Sequence, residues 1–240
     1  MILLLSFLAC KNDLLLSSGE LGRLNYTIVT GYQIDGVKLN EAKLAVGYPQ
    51  RIDASLTLKG WKMVEENAFL VYHSSPDDIT VDSESLLDGE LGVPGFSVQA
   101  DAEGTFLVES KLQEDIVDQI HLQFVKPDDI GVISWIRSPD SEEFVEKSGD
   151  VISVGVGAQA AFIPIPMHQE KRIVGELEVD IDITPPEAAV VGYNIESVGE
   201  SGVEANSSPA SIYFVQAGEL QVCATDTVNE VTSCQDFLVE

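Results

Sequence analysis

Ala102-Glu-Gly-Thr-Phe-Leu-Val-Glu-Ser110 and Gln216-Ala-Gly-Glu-Leu-Gln-Val-Cys-Ala224 decide how this chain folds. Set one above the other, they match Gly104 with Gly218, Phe106 with Leu220 and Val108 with Val222. The matched apolar residues fall at alternate positions. That period sends one set of side chains into a core and the other into water, as in antiparallel sheets packed face to face.

The same alternation recurs outward from these stretches. Arg51-Ile-Asp-Ala-Ser-Leu-Thr-Leu58, Ala68-Phe-Leu-Val-Tyr72 and Ile120-His-Leu-Gln-Phe-Val125 carry it in the first half. Val151-Ile-Ser-Val-Gly-Val156, Arg172-Ile-Val-Gly-Glu-Leu-Glu-Val-Asp-Ile181 and Ser211-Ile-Tyr-Phe-Val215 carry it in the second. No stretch holds a helical period long enough to compete; the acidic run Leu112-Gln-Glu-Asp-Ile-Val-Asp118 allows one turn of helix between strands. A second internal match sets Gln50-Arg-Ile-Asp-Ala-Ser-Leu-Thr-Leu58 against Lys171-Arg-Ile-Val-Gly-Glu-Leu-Glu-Val179 at a slightly different offset, as a changed loop length between duplicated domains produces. The boundary falls at Lys126-Pro127-Asp128-Asp129-Ile130-Gly131, where Pro and Gly interrupt strand pairing. Residues 23–127 and 128–240 are thus expected as two domains joined with little freedom between them.

The Gly-x-(aromatic or Leu)-x-Val pattern near the end of each copy resembles the penultimate strand of immunoglobulin-like and related secreted bacterial domains. The resemblance implies an all-β chain of two tandem antiparallel β-sandwiches of immunoglobulin-like type. Phe106 with Val108, and Leu220 with Val222, would then face inward. Gly104 and Gly218 would enter their strands at positive φ. The Cys-Trp-Cys framework of antibody domains is missing, which disfavours that branch.

Composition narrows the function. Of 240 residues, 45% are hydrophobic, enough to offset the entropy of ordering a core, and only 7% are aromatic, so Val, Ile, Leu and Ala must build it. Forty acidic residues against 13 basic ones give a net charge of -27, which repels nucleic acid and anionic head groups. A solubilising surface explains such a charge; calcium uptake and attraction of a basic partner are the functional alternatives. The candidate calcium ligands are Asp77 and Asp78, Asp101, and Asp128 with Asp129 at the junction, although no EF-hand spacing occurs.

Met1-Ile-Leu-Leu-Leu-Ser-Phe-Leu-Ala-Cys10 is too short to span a bilayer and suits the core of a secretion signal. Phe7-Leu8-Ala9-Cys10 resembles the lipobox of bacterial lipoproteins. That resemblance implies cleavage before Cys10 and its acylation by palmitate-type chains, each contributing about 0.8 kcal/mol per buried CH₂. Residues 1–10 are therefore expected as signal and lipobox, and 11–22 as a tether holding the rest in water. The usual Lys or Arg before the apolar run is absent. An ordinary first strand, or a signal cleaved without lipidation, is the competing reading.

Cys223 and Cys234 would lie on the outer face of a terminal hairpin, where a disulfide closing about twelve residues is worth roughly 3 kcal/mol. Two cysteines with no His nearby make a poor zinc site, and the CxxC spacing of redox pairs is absent. His73, His121 and His168 are scattered, and no nucleophile elbow, HExxH or phosphate-cradling loop is present. Trp61 and Trp135 suit packing better than a sugar platform. The expected function is therefore a non-enzymatic cell-envelope lipoprotein at the outer membrane or cell surface, acting as scaffold, adhesion or protein-binding module. Its partners would be the membrane, through the N-terminal lipid, and a protein in the envelope or on the cell surface. A carbohydrate-binding or hydrolase-accessory protein is the alternative, which exposed Trp61 or groove-lining tyrosines would favour.

Overall fold

The computed structural model describes residues 13–30, 34, 37–56, 70–75, 79–82, 95–112, 115–175, 177–192 and 210–240. In the first half these form β1 (Asp13–Ser18), β2 (Leu24–Thr30), β3 (Lys43–Ala45), β4 (Gln50–Leu56), β5 (Leu70–Ser75), β6 (Ile79–Asp82), β7 (Gly95–Ala100), β8 (Gly104–Leu112) and β9 (Asp115–Val125). The second half forms β10 (Asp129–Arg137), β11 (Val145–Lys147), β12 (Val151–Val154), β13 (Gln159–His168), β14 (Lys171–Arg172), β15 (Val179–Thr184), β16 (Ala189–Gly192), β17 (Ala210–Phe214), β18 (Gly218–Asp226) and β19 (Val231–Val239).

The first half packs sheet β1-β2-β4-β7-β6 against sheet β3-β9-β8-β5. The second packs β11-β10-β13-β17-β16, with β14 on β13, against β12-β19-β18-β15. Leave aside β1, β11 and β14, and the two halves are one topology traced twice. In each, the first short strand of the second sheet runs parallel to the last strand, β3 with β9 and β12 with β19, while the remaining pairs are antiparallel. This is the A-B-E-D and C-F-G arrangement of immunoglobulin-like sandwiches, with part of strand A crossing to pair with G. The chain is therefore all-β, in tandem sandwiches that share one strand order.

Alternation builds each interior. Phe106 and Val108 on β8, and Leu220 and Val222 on β18, are buried. Edge-to-face rings, Tyr26 on Phe96 at 6.2 Å and Phe106 on Phe124 at 5.8 Å, centre the first core. Phe214 against Phe237 at 5.1 Å centres the second. The interiors are not fully separate. Ile165 and Val174 of the second half complete the first core, and a third cluster of Ala45, Tyr48, Val125, Ile130, Ile173 and Leu177 lies at the seam.

Four expectations are corrected. The segment 11–22 is not simply a tether: from Asp13 it forms edge strand β1, paired along its length with β2, and Leu15 enters the core. The acidic run at 112–118 contributes no described helix; Leu112 pairs with Asp115 and Lys111 with Ile116 across a hairpin that is bulged beside Ser110. Gly218 has the expected positive φ of 139°, but Gly104 does not. Its smallness serves a close approach instead, since a Cβ there would sit 3.2 Å from the tip of the Phe106 ring. Lastly, the topological partner of β4 is β13, and the register sets Gln50, opposite Val98, level with Ala160, opposite Ile212, and not with Lys171.

Candidate functional site

The first functional feature is the seam. The chain between β3 and β4 turns at Val46-Gly47-Tyr48, and the β18–β19 turn of the second sandwich lies on it. Tyr48 donates its phenolic proton to the Asp226 carboxylate, and both residues are buried. Asp226 also accepts from the Val228 and Asn229 amides at 2.9 and 3.2 Å and from Asn229 Nδ2 at 3.0 Å. Asn229 Nδ2 reaches the Val46 carbonyl at 3.4 Å. Burial, followed by the acceptor carboxylate, pushes the Tyr48 phenol well above its ordinary value. Beside this contact Val174 bridges Leu44, with Ala45 N donating to Val174 O at 2.7 Å and Val174 N to Lys43 O at 2.8 Å. The second half thus adds a short strand-like link to a sheet of the first. Three links of different kinds hold this junction, and none was named from the sequence because its partners lie far apart along the chain.

The candidate calcium ligands do not converge there. The Asp128 carboxylate accepts from the Gln169 amide at 3.0 and 3.1 Å, bracing the β13–β14 turn, where Gln169 and Glu170 have φ of 53° and 63°. His168 Nδ1 is hydrogen-bonded to the Lys126 carbonyl at 3.0 Å. Asp129 accepts from the amide of Ile130, at 2.8 Å, and Asp101 stands exposed in a bend. Asp77 and Asp78 lie outside the described residues. Among the described residues no group of three or more His, Cys, Asp or Glu is placed to hold a metal ion. The Asp128 and Asp129 carboxylates each accept from a backbone amide at this junction.

A second carboxylate is spent in the same manner. Asp118 is fully buried and accepts from the amides of Leu21, Arg23, Leu24 and Gln119 at 2.7–2.9 Å. It ties the β1–β2 turn to the β8–β9 hairpin end. At the surface beside it, Glu20 is hydrogen-bonded by Gln119 and His121, which hold its carboxyl below the usual range.

The outer face of the β10-containing sheet carries the most distinctive surface. Val190, Tyr213, Gln159, Arg137 and then Phe144 follow one another across neighbouring chain segments. Gln159 Nε2 donates to Tyr213 Oη and Ser211 Oγ, both at 2.9 Å, while its carbonyl accepts from Arg137. The Arg137 guanidinium lies 5.1 Å over the Phe144 ring. Val190, 56% exposed, lies on edge strand β16 and Tyr213, 41% exposed, opposite it on β17; the sequence of β16, Ala189-Val-Val-Gly192, holds no charge. The other edges of this half are guarded. Edge β15 presents Asp180 and Asp182, β11 carries Glu146 and Lys147, and Lys147 Nζ covers the β12 carbonyl of Ser153 at 2.8 Å. Proteins blunt sheet edges by such charges to prevent pairing with other chains.

The remaining sequence candidates fall as follows. Cys223 and Cys234 are directly opposed in the β18–β19 ladder and joined as a disulfide, with Cα atoms 4.0 Å apart. His121 is paired with Glu20, and His168 with the junction backbone, so neither stands beside a nucleophile. His73 lies in β5, and nothing about its side chain is described. Trp135 is half-buried on β10; Trp61 and Cys10 lie outside the described residues.

No known family profile matches this chain, and no curated protein matches it. Solved structures that resemble it include FdeC, an Escherichia coli adhesin, at 12% identity and TM-score 0.32, covering 94% of this chain and 65% of that one. Domains 4–9 of the surface-layer protein SbsC align at 11% and 0.33, over 90% of this chain and 35% of that one. Domains 5–6 of SbsC align at 13% and 0.34, over 95% and 99%. The chain therefore spans about two thirds of the first of these structures and about one third of the second. At such scores the likeness carries no functional argument.

Proposed function

We propose that this chain is a non-enzymatic cell-envelope lipoprotein, anchored by acyl groups on Cys10 at the outer membrane or cell surface, that binds a protein partner. The observation that carries the reading is edge β16, which no charged side chain guards among the described residues and which sets Val190 next to Tyr213 of β17. An open strand edge offers its backbone groups to an extended segment of a partner, while flanking side chains supply selectivity. A partner strand with basic flanks suits a chain of net charge -27. The buried carboxylates Asp118 and Asp226 hold turns together instead of facing a cleft, which accords with binding and not catalysis. The carbohydrate reading is less well served. Among the tyrosines whose side chains are described, Tyr26 and Tyr48 are interior, and the Tyr213 hydroxyl is engaged by Gln159.

A photo-crosslinking residue at position 213 of the full-length protein, displayed on cells, tests the edge. One discrete protein adduct is expected, absent from a crosslinker at Asp182 and lost when Val190→Lys charges the edge. Equal adducts from both positions, or no effect of Val190→Lys, contradict it. Fractionation tests the anchor: Cys10→Ser should release the protein from membranes, and wild type retaining residues 1–9 without added lipid would refute anchoring.

A further inference from the structure

The turn that docks the two sandwiches occurs twice. In the first half it is Leu44-Ala-Val-Gly-Tyr-Pro49; in the second it is Val154-Gly-Val-Gly-Ala-Gln159, of the same length. Strand register fixes the correspondence. Leu44 pairs with Phe124 and Val154 with Val239 in the two parallel ladders, and Phe124 and Val239 in turn face Gly104 and Gly218. The hydrogen bonds agree as well. Val46 N donates to Val125 O, and Val156 N to Glu240 O, both at 3.0 Å. Gly47 N donates to Ala100 O at 2.9 Å, and Gly157 N to Phe214 O at 2.8 Å. The two glycines share a left-handed backbone, at φ 89° and 84°.

The surroundings of the two turns differ. Val46 is 8% exposed, with the 226–231 turn against it; Val228 Cγ1 lies 2.6 Å from where a Cβ on Gly47 would be. Val156 is 45% exposed. Near it Val215, 51% exposed, stands where the first half has Asp101. The end of the second sandwich thus repeats the receiving half of an interface already formed in this molecule, and is more aliphatic there.

We propose that Val154–Gln159 with Val215 is a second docking socket, and that its occupant is the F–G turn, the equivalent of the turn between β18 and β19, of a further immunoglobulin-like sandwich stacked end-on. Ala158 stands in the place of Tyr48, so this socket asks for no buried acid. It offers an aliphatic surface and the Val156 carbonyl, the equivalent of the carbonyl that Asn229 reaches on Val46. The inference is independent of partner binding at β16.

Thiol labelling tests it in a Cys10→Ser background. In one protein a second copy of residues 126–240 follows Glu240, so that Glu240 precedes Lys-Pro as Val125 does. Cysteine introduced by Val156→Cys should label at least about tenfold more slowly than in the unextended chain, as closure of a docked surface requires. Val228→Asp in the appended copy should restore the faster rate. Unchanged labelling, or slowing that survives Val228→Asp, overturns the proposal. A second protein needs no added domain: the turn Ala45–Pro49 is replaced by Gly155–Gln159, with its valine made cysteine. Labelling as slow as that of Val46→Cys in the parent is expected. Labelling as fast as that of Val156→Cys would show that this turn cannot seat an F–G hairpin.

Discussion

The phenol of Tyr48 donates to the carboxylate of Asp226 across 178 residues of sequence, joining the turn after β3 to the end of β18. Each residue sits in a different sandwich, so this bond and the Val174 link couple two domains that could otherwise turn about residues 126–128. A partner bound at β16 would then be presented by a stiff pair of sandwiches.

Tyr48→Phe removes the donor while leaving the ring packed. Asp226 keeps the donors of its own turn, so the loss should be about 1–3 kcal/mol, within the range for a hydrogen bond to a buried charged group. Denaturant unfolding measures it. Asp226→Ala should cost more, because it strands the Tyr48 hydroxyl and the turn amides together.

Alkaline pH should act on the same bond. The folded-state pKa of Tyr48 is raised, so its contribution is complete below the ordinary phenol value of about 10 and is lost as pH climbs through the folded value. A fall in stability above pH 10 that is smaller in Tyr48→Phe is expected. Equal pH dependence in the two proteins would count against the bond.

Asp118→Ala should be among the most damaging single changes. It leaves the amides of Leu21, Arg23, Leu24 and Gln119 without their carboxylate acceptor, at a cost of roughly 3–5 kcal/mol. Asp118→Asn should recover part of the loss. Hydrogen exchange should show the β1–β2 hairpin opening first in the alanine variant.

These two aspartates also mark where the sequence stops being readable. Alternation revealed the strands because the period of two is local, and it placed Phe106, Val108, Leu220 and Val222 on the correct face. It also set Cys223 and Cys234 on one outer face, though only the register places them opposite each other. Asp118 sits in an acidic run that allows a turn of helix between strands; its burial follows from a turn more than 90 residues upstream. Leu14-Leu15-Leu16 does not alternate and follows an apolar leader, so it resembled a tether. By register Pro49 matches Gln159 and Gln50 matches Ala160, so the equivalent strands share no residue there, and the Arg-Ile pair at 51–52 and 172–173 drew the match to Lys171. Edge β16 is four residues long, too short for any periodic signal.

Reducing the Cys223–Cys234 disulfide, or replacing both cysteines by serine, should cost about 3 kcal/mol in the chain-entropy picture. The register holds Cys223 opposite Cys234 midway along β18 and β19, so the fold should survive with β19 exchanging faster. Thermal unfolding with and without reductant reads the loss. An unchanged midpoint would mean that the bridge adds nothing to this hairpin.

The stiff seam is tested most directly by ¹⁵N relaxation across the intact chain. Residues 13–125 and 129–240 should report one common rotational diffusion tensor, and Tyr48→Phe combined with Asn229→Ala should split it into two. Two independent tensors in the wild-type protein, each with the tumbling time of a single sandwich, would contradict a seam that holds the domains together.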